Sequence, residues 1–402
     1  MSAFDSSVDW LVVGGGIHGT YAARELLEAG VPRSELVVLD SHGELLAAFR
    51  KQARACGMET LRSNYVQHIG PSSFGLERFA EARYREDELV PTRHSQVRPT
   101  LDLFLDYADH VIDRFDLADL VRERTVTGIR REDALVVETT EKPVRAERVV
   151  LAIGPGNRYR RPDWADVAGV EHVWDDLRPP TERIDAGETV WVVGGGITAA
   201  QFATSIADHA DVTLCTRHQL QTALREADPK WLNWQYIARE LHSLPPGSAA
   251  RYERLQEARN DGTIPSYLKT ELEDSAVTVH RDEITDVFET DDGLLVSCAR
   301  ESGTTVDRIV LATGFRPVFD HPFVRQLGSS LSLARGYRGM PTLDDDTLAW
   351  QTQDGTDSNV IVTGKLAAGS VGAFAGNIPG ARRAAERIVD RHPTRQLAEQ
   401  VS

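Results

Sequence analysis

Two glycine-rich turns, each set between a short apolar run and a helix-forming stretch, constrain this chain more than anything else in it. The first is Val12-Val13-Gly14-Gly15-Gly16-Ile17-His18-Gly19, and the second is Val192-Val193-Gly194-Gly195-Gly196-Ile197-Thr198-Ala199. A strand that turns through glycines into a helix is the context of a dinucleotide fingerprint. The leading glycine (Gly14, Gly194) allows a tight turn, and the second (Gly16, Gly196) lets the backbone approach a pyrophosphate. The third position (Gly19, Ala199) packs helix on strand. The pyrophosphate then rests on the free N–H groups of the helix N-terminus. Two such units predict a chain that holds two dinucleotides facing each other.

The surrounding pattern fits that reading. Val8–Val13 is predicted as a buried strand, Ile17–Ala29 as an amphipathic helix, and Leu36–Leu39 as the next strand, closing at Asp40. Asp40 lies where an acidic residue about 20 positions after the fingerprint hydrogen-bonds a ribose. Helices are expected at 75–82 and 99–115, and strands at 126–130, 134–138 and 144–151. A Pro- and Arg-rich connector follows over 155–180. The second unit continues with a helix at 198–209, a strand at 212–215 and a polar, helical insert at about 219–273. The last apolar strands are 309–311 and 360–362, and a helix is predicted over Pro379–Val389.

At 402 residues the chain can bury more than one core. No run approaches the roughly 18 to 20 apolar residues of a membrane span. The first residues lack the basic and apolar regions of a secretory signal. Cys56, Cys215 and Cys298 are the only cysteines, with no Cys-x-x-Cys, which points to a reducing cytoplasm. A formal charge of −16 opposes a nucleic-acid partner. Arginine greatly outnumbers lysine, which suits a GC-rich genome or a salt-adapted source. No His/Cys/carboxylate spacing suggests a metal site, and no Gly-x-Ser-x-Gly elbow suggests a nucleophilic hydrolase.

With these motifs in this order, the chain resembles the two-dinucleotide flavoproteins that include class B flavin monooxygenases, N-hydroxylating monooxygenases and thioredoxin-reductase-like enzymes. The resemblance covers Val8 to about Val389. It implies an α/β fold of two Rossmann-like domains, the NAD(P)H domain inserted into the FAD domain. Residues 1–180 and 312–402 would hold FAD, and 181–311 would hold the nicotinamide cofactor. Leu151–Gly154 and Ala312-Thr313-Gly314 resemble the two crossings between the domains. The resemblance implies further cofactor contacts at Arg62, Val126, Gly154, Thr313, Gly314 and Gly364. Met58–Tyr65 resembles the loop beside the flavin ring. The last helix would point its N-terminus at the flavin pyrimidine, where reduction places negative charge.

Thr216-Arg217-His218 follows the second strand of the inserted unit, where NAD sites carry Asp or Glu. An arginine there suits a 2′-phosphate, so NADPH is expected at Arg217, with NADH still open. Other features depart from the relatives. Disulfide reduction lacks its Cys-x-x-Cys. Gly364-Lys365 stands where relatives carry Gly-Asp, and lysine cannot accept ribityl hydrogen bonds. Val167–Leu177 is a degenerate echo of the linker before the NADPH fingerprint, which leaves His172 between a role and a locally bonded linker histidine. His18, His68 and His94 are read as structural or solvated. The insert and the 56–71 loop are expected to form the substrate pocket.

Two enzyme classes share every motif above. One is a monooxygenase in which NADPH reduces FAD, the flavin takes O₂ at C4a, and the peroxide passes one oxygen to an N, S or carbonyl centre of a small molecule. The other is a reductase passing electrons through FAD to a quinone or redox carrier. A flavin-binding sensor without turnover ranks below both. Catalytic residues, substrate identity and oligomeric state are not written in the sequence.

Overall fold

The computed structural model describes residues 7–92, 96–223, 225–260 and 263–391. His94, the first six residues and parts of the insert lie outside them. The fold is α/β, as expected, and is built on two largely parallel sheets, the first with an antiparallel edge strand. In the first, strands run in the order Ala349–Gln351, Asp357–Val362, Val144–Leu151, Ser7–Val13, Leu36–Asp40, Val121–Glu123. A hairpin, Val126–Arg131 with Leu135–Thr139, joins it through an antiparallel pairing with Val144–Leu151. Ser7–Val13 is parallel to both neighbours, with Trp10 opposite Leu36 and Arg148. Leu11, Val12, Val38, Val150 and Ile361 are fully buried, which is why these strands read as continuous apolar runs. Helix Ile17–Glu28 packs against the last helix, Ile378–Arg391. Helix Leu101–Arg114 starts where the Thr100 hydroxyl accepts from Leu103 N–H at 3.2 Å.

The second sheet runs Thr278–His280, Asp211–Cys215, Thr189–Val193, Arg308–Leu311, Val170–His172, all parallel. Apolar clusters form around Phe202 and Val310, and around Trp191 and Ile309. A three-stranded antiparallel ribbon, Ile284–Thr290, Gly293–Cys298 and Ser302–Val306, completes the unit. Each fingerprint strand is thus flanked by the strand that follows it and by one from a later crossover. Ligands of open α/β sheets bind at such a switch point, outside the carboxyl ends of the strands.

The structure corrects the sequence reading in three places. The connector contains the edge strand Val170–His172, so the second sheet begins before residue 181. Three residues amid prolines and arginines give no usable period. Helix Ala47–Ala55 was not expected from the sequence; Arg50, Lys51 and Arg54 blur its apolar face. The insert is broken into short pieces, among them Trp234–Ile237, Ala249–Glu257 and Ser266–Asp274. Pro229, the Pro245-Pro246-Gly247 turn and Pro265 each stop a helix from continuing through them.

Candidate functional site

The two fingerprint turns are built alike. Gly14 N–H donates to Leu39 O at 2.8 Å, and Gly194 N–H to Cys215 O at 3.0 Å. Beneath each lies the end of the crossing strand: Ala152 N–H donates to Val13 O at 2.9 Å, and Ala312 N–H to Val193 O at 2.8 Å. A Cβ on Gly14 would stand 2.8 Å from Ala152 O, and one on Gly194 2.6 Å from Ala312 O. Gly14 also has φ +102°, which a side chain would strain. A Cβ on Gly19 would collide with the Gly14 carbonyl.

Gly16 and Gly196 are different, since a Cβ on either would meet no atom of the described residues within 4 Å. Each is the N-cap of its helix, with no side-chain cap and no acidic residue in the first turn. Free N–H groups therefore face open space at two helix N-termini, which is the donor set a pyrophosphate needs. The residues present fit two dinucleotides.

Asp40 ends its strand beside the first turn. Its Oδ2 accepts from Gly15 N–H at 2.7 Å and its Oδ1 from His42 N–H at 2.8 Å. Oδ1 also lies 3.1 Å from His42 Nδ1, so Oδ2 is the oxygen that keeps a lone pair for a ribose hydroxyl. Arg124 N–H donates to Asp40 O at 2.9 Å, and this brings Val126, two residues on, to the same sheet edge. Arg217 is exposed beside the second turn and stands 3.6 Å from the exposed Glu283. Gly154 leaves the first sheet with open space where a Cβ would be. Thr313 and Gly314 are engaged by the other crossing: the Thr313 hydroxyl donates to Arg160 O, and Arg160 N–H donates to Gly314 O at 2.8 Å.

A cavity of about 250 Å³ opens between these parts. Ile17 lines it from the first fingerprint helix, Met58, Leu61 and Arg62 from the loop, and Ile378 and Pro379 from the last helix. Arg225, Glu226 and Leu232 of the insert line another side of it. Arg62 Nη2 donates to Ala223 O at 3.2 Å, and Arg62 Nη1 lies 3.8 Å from Glu226 Oε1. Burial pulls the Arg62 pKa down while Glu226 opposes that shift. The Asn377 side-chain amide donates to Glu226 Oε2 at 3.3 Å, tying the last helix to the insert. Gly364 has φ +71° and faces the His18 ring. Burial lowers the pKa of the neighbouring Lys365; Arg259 adds to the shift and Glu226 counters it.

His18 lies beside Gly364, with Nδ1 2.9 Å from Thr363 Oγ1. Burial lowers its pKa to about 4, so it is neutral at pH 7. His68 accepts from Gly70 N–H at 3.1 Å and packs edge-on to Tyr107, away from the cavity. His172 is fully buried and stacks on Tyr159 with centroids 4.4 Å apart. Its pKa is also lowered to about 4 by burial. The Asn377–Glu226 tie and the His18–Thr363 contact had no motif to reveal them, since each joins segments far apart in sequence.

The family described as pyridine nucleotide-disulphide oxidoreductase matches residues 11–351. An uncharacterized CzcO-like oxidoreductase of Geobacillus kaustophilus is 24% identical over 221 residues. That match covers 54% of this chain and 61% of the relative, so the chain spans about three-fifths of the length of this curated protein. Among solved structures, the ornithine N-hydroxylase of Kutzneria sp. 744 superposes with a TM-score of 0.76 at 16% identity, covering 98% of this chain and 100% of that one. L-lysine 6-monooxygenase from Pseudomonas syringae gives 0.72 at 19% identity, over 96% and 98%. The bacillithiol disulfide reductase of Bacillus cereus gives 0.60 at 17%, over 96% and 98%. At these identities the likeness is one of fold. The family match covers most of the chain and the two cradles have the form it requires: the chain belongs to the pyridine nucleotide-disulphide oxidoreductase family, whose members depend on FAD and NAD(P).

Proposed function

We propose that this chain is an FAD- and NADPH-dependent monooxygenase that places one oxygen atom from O₂ on an N, S or carbonyl centre of a small molecule. The observation that carries the reading is the cavity at the first fingerprint: residues of the insert help line it, and no cysteine is among its described lining residues. Bound FAD would accept hydride from NADPH and, once reduced, activate O₂. The protein's part is to bind, orient and exclude water. The N–H groups after Gly16 and Gly196 hold the two pyrophosphates, Asp40 takes a ribose, and Arg217 takes a 2′-phosphate. The N-terminus of helix Ile378–Arg391 borders the cavity and stabilises negative charge there. Arg225, Glu226 and Leu232 line the side of the cavity where a bound substrate and cofactor would have to exclude water to preserve a reactive oxygen species for transfer. Three free thiols suit a reducing cytoplasm.

A reductase passing electrons to a quinone or carrier is the second reading, and the fold likeness to a disulfide reductase favours it. It lacks a paired thiol among Cys56, Cys215 and Cys298, all of them free. The test feeds NADPH and isotopically heavy O₂ to FAD-loaded protein with a panel of amines, thioethers and ketones. Heavy oxygen in a product, formed in step with NADPH loss, supports the proposal. Complete recovery of electrons as H₂O₂ across the panel, with rapid NADPH-driven quinone reduction, overturns it.

A further inference from the structure

Away from the cavity, three side chains with metal-binding atoms converge on the second domain. His280 ends strand Thr278–His280, Asp282 follows two residues later, and Cys298 ends strand Gly293–Cys298. One ligand atom from each lies within 4.8 Å of the other two. No spacing in the sequence suggested this group, because fifteen residues and a hairpin separate Asp282 from Cys298.

Two further observations set the group apart from a chance encounter. Asp282 is almost fully buried and held in one direction. Its Oδ1 accepts from Glu283 N–H at 2.8 Å, and its Oδ2 from Arg300 N–H at 2.9 Å and Glu301 N–H at 3.3 Å. Those bonds use three of the carboxylate's roughly four acceptor sites and leave one on Oδ1. Outer bonds of this kind orient the carboxylates that ligate metals. The exposed Arg300 guanidinium, with Nε 3.8 Å from Oδ1, is the counter-charge a cation would displace. His280 supplies the second observation: its Nε2 is buried without a hydrogen-bond partner among the described residues.

We infer that His280, Asp282 and Cys298 bind a divalent transition-metal ion, zinc being the ion this donor set fits best. Imidazole nitrogen, carboxylate oxygen and thiolate sulfur are all zinc ligands, and three of them leave a fourth position for water. Binding releases the Cys298 thiol proton to solvent, and the thiolate and carboxylate charges then balance the 2+ ion. The ion would brace three strands. His280 pairs in register with Cys215, and Cys215 Sγ donates to Asp282 O at 3.7 Å. Thr216 N–H donates to His280 O at 2.9 Å, so the brace underlies the loop that carries Arg217.

The test uses FAD-loaded protein stripped with chelator and then titrated with Zn²⁺ against a chromophoric competitor, with native mass spectrometry for stoichiometry. One ion per chain is expected. Cys298→Ser and His280→Asn should each weaken binding by more than about 100-fold, while the buried and distant Cys56→Ser leaves it unchanged. A second measurement needs no variant: iodoacetamide should label Cys298 in stripped protein and spare it once zinc is added. Failure to take up zinc, equal affinity in Cys298→Ser, or labelling that zinc does not slow would each overturn the inference.

Discussion

Gly196→Ala separates the fold from the cofactor more cleanly than any other change. Gly196 has φ −107° and ψ 179°, which alanine adopts without strain. Its new methyl would meet no atom of the described residues within 4 Å. A glycine-to-alanine change at a compatible site adds about 0.4–1 kcal/mol of stability through the unfolded state. The same methyl points into the space where a pyrophosphate oxygen would take a helix N–H. A hydrogen bond to a charged group contributes about 1.5–3 kcal/mol, so losing one raises the NADPH Kd roughly ten- to a hundred-fold. The assay measures Kd for NADPH by titration of FAD-loaded protein, the FAD content by absorbance, and the melting temperature. Expected are an unchanged FAD content, an equal or higher melting temperature and much weaker NADPH binding. Gly16→Ala should give the mirror image, with FAD lost and apoprotein stability kept. An unchanged NADPH Kd in Gly196→Ala, or loss of FAD from that variant, would refute the assignment of the two cradles.

Three further outcomes are expected. Gly19→Ala should leave little soluble protein, because its Cβ collides with the Gly14 carbonyl and a clash between backbones costs more than about 3 kcal/mol; a soluble, FAD-loaded variant would contradict this. Arg217→Gln should raise KM for NADPH about ten-fold and leave NADH alone, since its exposed pair with Glu283 adds at most about 1 kcal/mol to stability; equal changes with both cofactors would remove Arg217 from the 2′-phosphate. Burial lowers His18, His68 and His172 from 6.5 to about 4, so the unfolded chain takes up protons first as pH falls. Apoprotein stability should therefore decline from pH 6.5 towards 4, by about 2 kcal/mol per histidine at about pH 5. Urea midpoints at the two pH values test this, and a flat profile would mean these rings are not held neutral.

What the sequence made legible follows from the range of each interaction. Both fingerprints, the strand that ends at Asp40 and the last helix depend on local geometry, and their signals lie within about 30 consecutive residues. The edge strand Val170–His172 exists only because Arg308–Leu311 is there to pair with it. Its own three residues carry no period, and the connector around it reads as loop. The cavity was anticipated as a meeting of the 56–71 loop with the insert, and Leu61, Arg62, Arg225 and Glu226 do line it together. Which insert residues would reach it was beyond local pattern, because prolines cut the insert into pieces whose faces are set by docking. The His280–Asp282–Cys298 group was invisible for the same reason, being assembled by a ribbon folding back on a parallel strand.

The two fingerprints differ at their third position, Gly19 against Ala199, and the structure gives the reason. At the first, the carbonyl of Gly14 turns towards the helix, and Gly19 has no room for a Cβ. At the second, Ala199 is fully buried and its methyl fits. The difference begins one turn earlier: Gly14 has φ +102°, whereas Gly194, at φ +158°, is close to extended. Rotating that first peptide moves its carbonyl relative to the helix, so the residue allowed at the third position is decided by the backbone angle at the first. Mutating Ala199 to glycine should then cost about 1–2 kcal/mol, the helix-propensity difference plus one buried methyl, less than the reverse change at Gly19. The two motifs, alike in pattern, hold their helices by different close contacts, and that lets one tolerate a side chain the other cannot.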